Sequence, residues 1–121
     1  MIHNLRKSER FPLTGEIELM SGPETVSGEL IDVSTGGVAF TILPEKLDST
    51  MPRRAWLCRI ESRDLPAPAV FMARVLRSQP RGYRVELACQ IVAISEKSLS
   101  CVRAYRALLK ARERNLFRRV H

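Results

Sequence analysis

Two short stretches carry residue types that could do chemistry. In "NLRKSERFPL", residues 4–13, Arg6 and Arg10 stand four apart with Lys7 between them. In "DVSTGG", residues 32–37, Asp32 is followed two positions later by Ser34, and Gly36 and Gly37 close the motif. An Arg guanidinium presents a planar fork of donors that fits a phosphate or a guanine edge. A turn with paired glycines lets a ligand approach the backbone closely. Each stretch also has an ordinary reading, since a basic terminus is commonly just solvated and an acid-hydroxyl-glycine turn commonly bonds its own amides.

The elements that would position these residues follow from periodicity. A spacing of four would place both arginines on one helix face. No apolar stripe accompanies them, however, and Pro12 biases the residue before it toward an extended backbone, so residues 1–12 read as a flexible arm. From Leu13 the period becomes two, with Ile17 and Leu19 alternating against Glu16, Glu18 and Met20. Further strand candidates are residues 26–32, 37–42, 54–60, 70–77 and 82–92, six in all. In the last, Tyr83, Val85, Leu87, Cys89 and Ile91 are expected on the core face. Trp56, Cys58 and Ile60 alternate in the same way.

No helix interrupts these strands, which favours an antiparallel barrel or sandwich over a parallel sheet. The period changes after Ser95, a candidate N-cap, and the rest of the chain reads as one helix. On it Val102, Tyr105, Leu109 and Leu116 form an apolar stripe beside Arg103, Arg106, Lys110 and Arg114. The expected division is an arm at 1–12, a barrel at 13–94 and a helix at 95–121. A helix of some 24 residues runs about 36 Å, longer than a small barrel covers, so its distal part is expected to project toward a protein partner or a second copy.

The 121 residues suffice for one domain. No run approaches the roughly 18 apolar residues of a membrane span, and no signal-peptide core is evident, which implies a soluble, cytoplasmic protein. Cys58, Cys89 and Cys101 lack metal-ligand spacing and read as reduced, packed thiols. Lys plus Arg total 20 against 13 Asp plus Glu, a net +7, and sixteen of the cations are arginines. An anionic partner recognised through forked donors fits that bias.

If the first two strands form a hairpin, the start of one lies beside the end of the other, and the arginine arm meets "DVSTGG" at one end of the sheet. "RKSER" followed by "DVSTGG" resembles the RxxxR and (D/N)xSxxG pair of the PilZ domain family, receptors for the bacterial second messenger cyclic di-GMP. The resemblance implies a six-stranded antiparallel β-barrel with a C-terminal helix. It implies ligand-binding roles for Arg6, Arg10, Asp32, Ser34 and Gly37, with Lys7 and Gly36 as secondary candidates. No metal and no cofactor apart from the nucleotide ligand are implied. The chemistry is consistent. Arginine can bond guanine O6 and N7 or stack on the base, and a carboxylate can accept from the guanine N1 and N2 donors, which adenine lacks as a pair. Leu5 stands where many relatives carry another arginine, which favours one bound nucleotide over a stacked pair.

Three other functions compete. An enzyme is poorly supported, because His3 and His121 lie at opposite termini and no Cys neighbours a candidate base. A nucleic-acid-binding barrel suits the charge, but aromatic residues make up only 6% of the chain and form no stacking cluster. A pure protein adaptor would not need the intact motif pair.

Overall fold

The computed structural model describes residues 9–120, with side chains through residue 115. Its strands are β1 (Phe11–Pro12), β2 (Glu16–Ser21), β3 (Glu24–Val33), β4 (Gly37–Ile42), β5 (Ala55–Glu61), β6 (Ala69–Arg81) and β7 (Arg84–Ile94), followed by helix α1 (Glu96–Val120). All pairings are antiparallel, in the order β1-β3-β2-β5-β6-β7-β4, and a further β3–β4 pairing closes the sheet. Six strands thus form the barrel expected from the alternation, and β1 extends it at the end of β3. Closure leaves the long strands without open edges, which short antiparallel sheets otherwise have to protect.

The inward set is apolar. Ile17, Leu19, Phe40, Ile42, Trp56, Cys58, Ile60 and Leu87 are almost fully buried. Trp56 donates its indole N–H to the Met51 carbonyl at 3.1 Å, which satisfies the one polar atom of the ring inside the core. Gly28 faces inward opposite Ile17, and a Cβ there would sit 2.6 Å from the Thr41 carbonyl oxygen. Only a residue without a side chain lets β3 and β4 approach closely enough to close the barrel.

Two expectations need adjustment. Tyr83 does not face the core: it occupies the hairpin turn between β6 and β7 beside Gly82, whose φ is +64°, and is 82% exposed. The turn interrupts the alternation, so the inward series begins only at half-buried Val85. Phe11 and Pro12, which the sequence places in the arm, form a short strand paired with Val33 and Asp32. Phe11 is buried against Tyr105, ring centroids 5.5 Å apart, because an apolar ring gains more there than in water.

The helix begins at the N-cap expected from its sequence. Ser95 Oγ accepts from the Ser98 amide at 3.1 Å. Ser98, Cys101, Val102 and Tyr105 are buried, and Leu109 packs against the core at its rim. Ser98 Oγ also accepts from the Val70 amide at 2.9 Å, tying the first turn to the start of β6. Residues 112–115 are exposed, as expected of a helix that outruns its support. No helix is long and apolar enough to cross a membrane among the described residues.

Candidate functional site

The chain segment from Glu9 to Pro12 and the turn after β3 lie at the same end of the barrel. Pro12 is paired with Asp32 and Phe11 with Val33. This is the adjacency inferred from a hairpin of the first two long strands, and β2 and β3 do form that hairpin. Arg10 and Asp32 are both half-buried. Arg6 and Lys7 lie outside the described residues, as do His3 and Leu5.

The turn itself is organised by Ser34, which is only 4% exposed. Its Oγ accepts from the amides of Gly36 at 3.2 Å and Gly37 at 3.0 Å, and its own amide donates to the Gly37 carbonyl at 2.8 Å. These glycine amides therefore point into the turn. Ser34 acts first as the post around which residues 34–37 wrap, a pattern common for hydroxyl turns. Gly37 pairs with Gln90, and a Cβ on it would lie 3.1 Å from the Cys89 carbonyl oxygen. The Gly36 carbonyl accepts from the Ile91 amide at 2.9 Å, which fixes the turn to β7.

Register extends the site beyond the two motifs. Side chains directly opposite on neighbouring strands share a face. One row runs from Asp32 through Ala39 and Ala88 to Arg77, and the next runs from Gly37 through Gln90 to Arg74. Three strand spacings separate the ends of the first row, roughly 14 Å at 4.8 Å each. Between an acceptor at one end and a cation at the other lie the methyl groups of Ala39 and Ala88, both buried. Arg74, Arg77 and Gln90 are exposed. These three positions were not singled out by motif reading. Counting residues outward from the Gly82 turn into both strands could have found them, had the bulges near Arg77 been legible.

Other features of the molecule do not compete for this role. A cavity of about 330 Å³ lined by Leu47, Asp48, Met51, Val75 and Leu87 reaches Arg77 at the end of the first row but contains no residue of 32–37. No group of three potential metal-ligating side chains is found among the described residues. Burial pushes the Cys58 thiol up to about 12 and raises that of Cys89 further, with the neighbouring Cys58 as a second cause for the latter. Neither is a nucleophile at ordinary pH.

Comparison with known proteins adds three findings. The family model of the PilZ domain matches residues 4–108. A sequence comparison with curated proteins finds no match. Among solved structures, similar folds include the Bacillus subtilis inhibitor of motility MotI/DgrA, with TM-score 0.70 and 16% identity over 89% of this chain and 53% of that one. YcgR from Escherichia coli in complex with c-di-GMP gives TM-score 0.72 and 14% identity over 97% of this chain and 51% of that one. The separate PilZ domain of the same E. coli protein with c-di-GMP gives 0.64 and 14% over 93% and 98%. The chain thus spans about half the length of the first two structures.

Proposed function

The chain belongs to the PilZ domain family, and from that premise we propose that it is a noncatalytic receptor for cyclic di-GMP. The observation that carries this reading is the pairing of Pro12 with Asp32, which brings the strand leading from Arg10 alongside the "DVSTGG" turn. The ligand-binding positions are Arg6, Arg10, Asp32, Ser34 and Gly37, with Lys7 and Gly36 secondary.

In this reading each group has a distinct task. Arg10 supplies forked donors to a phosphate or to guanine O6 and N7. Asp32 accepts from guanine N1–H and N2–H, the contact that separates guanine from adenine. Ser34 holds the turn in the shape offered to the ligand, its oxygen accepting two glycine amides. Gly37 keeps the floor low where a side chain would rise beside Gln90. The arm changes its conformation or order on binding, at an entropic cost that ligand contacts offset. The exposed distal part of α1 is the surface offered to a protein partner or a second copy, and the protein acts in the cytoplasm.

The test is calorimetric titration with cyclic di-GMP beside linear dinucleotide and GTP controls. Saturable binding of the cyclic ligand alone supports the receptor. Equal response to all three, or none to any, rejects it.

A further inference from the structure

The stretch "RKSER" contains one acidic residue, which neither motif uses. Glu9 sits immediately before Arg10, and a carboxylate there is at first sight misplaced, because it would repel a ligand carrying two phosphodiester charges. Its position resolves the conflict. Glu9 Oε1 lies 3.1 Å from Lys110 Nζ and 3.2 Å from an Arg106 guanidinium nitrogen, both on α1. These contacts join residues about a hundred positions apart in the chain. Two residues on, Phe11 packs against Tyr105 of the same helix, and the Tyr105 hydroxyl donates to the Pro12 carbonyl at 3.1 Å.

The consequence is rotational. Glu9 and Phe11 both meet the helix, and in an extended chain successive side chains alternate. Carried one residue back from β1, that alternation turns Arg10 to the other face, the one Pro12 shares with Asp32. The helix contacts therefore fix which way the arginine faces, and they neutralise the carboxylate nearest to it.

We propose that Glu9, held by Arg106 and Lys110, is a positioning residue for Arg10, which makes the C-terminal helix a third component of the nucleotide site. This rests on the cyclic di-GMP reading above. It also joins two parts of the molecule: a change in arm position on ligand binding reaches Arg106 and Lys110 directly, and through them the exposed end of the helix. Spacing alone puts both cations in the basic stripe of the helix; the geometry gives them this earlier task.

The proposal makes a prediction of unusual sign. Removing a negative charge beside an anionic ligand site should, by general electrostatics, tighten binding. Loss of a positioning residue weakens it. Cyclic di-GMP titration at one ionic strength should show Glu9→Gln weaker than wild type by about threefold or more, with the Arg106→Gln/Lys110→Gln pair similarly affected. The triple variant should be no weaker than either, because all three act through one contact. Glu9→Asp should recover part of the loss. Thermal midpoints and amide exchange at Val38 and Leu87 report an intact barrel, while the Phe11 amide should exchange faster in Glu9→Gln without ligand. Unchanged or tighter binding by Glu9→Gln, or additive losses in the triple variant, overturns the positioning role while leaving the receptor reading in place. Absence of binding by the wild type instead removes the receptor reading, and the proposal with it.

Discussion

Pro12 lies opposite Asp32 in the two-residue pairing of β1 with β3, so the chain just after Arg10 runs alongside the carboxylate at the end of the barrel. A cation-bearing arm and an acceptor-bearing turn, separate in sequence, thereby share one surface.

Arg10→Ala and Asp32→Ala should each weaken cyclic di-GMP binding by at least tenfold, about 1.4 kcal/mol, with the fold intact. Both residues are half-buried at the barrel end rather than in the core. Arg6→Ala should behave in the same way. Titration of the variants at matched circular dichroism is the check, and wild-type curves for Arg10→Ala and Asp32→Ala would remove the assigned site.

Ser34→Ala should act on the turn as well as on the ligand. It leaves the Gly36 and Gly37 amides without their acceptor in a part-buried position, at a cost of about 1–3 kcal/mol. Faster exchange of those two amides and a lower thermal midpoint are expected. A variant with wild-type stability and exchange would show that the hydroxyl is not the post of the turn.

Gly28→Ala should destabilise the barrel by about 1–3 kcal/mol, since the added carbon would stand 2.6 Å from the Thr41 carbonyl and 3.1 Å from the Phe40 ring. Gly22→Ala provides a contrasting case: its cost comes from φ of +58°, because an added carbon there meets no atom within 4 Å. Urea unfolding of the two variants separates a steric effect from a conformational one, as only the first should alter packing around Phe40.

The buried thiols lower stability at alkaline pH. The Cys58 thiol is raised by burial from 9.0 to about 12. Above about pH 9 the unfolded chain loses that proton while the folded one keeps it, so stability falls with rising pH until the folded thiol also ionises. Cys89 adds to the same slope, its thiol likewise raised by burial. Denaturant midpoints should decline from about pH 9 upward, less steeply in Cys58→Ala, and neutral-pH alkylation of both thiols should require denaturant.

Charge reversal at Arg103 and Arg114, exposed residues with no part in the Glu9 contact, should leave cyclic di-GMP affinity within about threefold. If the distal helix mediates self-association, sedimentation of this variant should shift toward the monomer. Identical sedimentation profiles at all concentrations would return those arginines to ordinary solvated surface.

The sequence by itself determined the elements. Alternation at Ile17 and Leu19, at Trp56, Cys58 and Ile60, and at Leu87 and Cys89 can bury one face only as strands, and those side chains are buried. Ser95 and the change to helical spacing marked α1 for a similarly local reason, since a cap and an apolar stripe are defined within a few turns. The motif pair was also readable, because hairpin pairing of neighbouring strands follows from short connections. Tertiary structure decided the rest. That Gly28 is required depends on the approach of β4, and that Arg74, Arg77 and Gln90 border the site depends on register shifted by bulges. Tyr83 was misread because a turn ended the alternation. Above all, the meeting of Glu9 with Arg106 and Lys110 has no local signature: like charges in an exposed helical stripe look the same whether solvated or paired. Only closure of the barrel, with the helix packed on it through Val102 and Tyr105, brings Glu9 into contact with the middle of the helix.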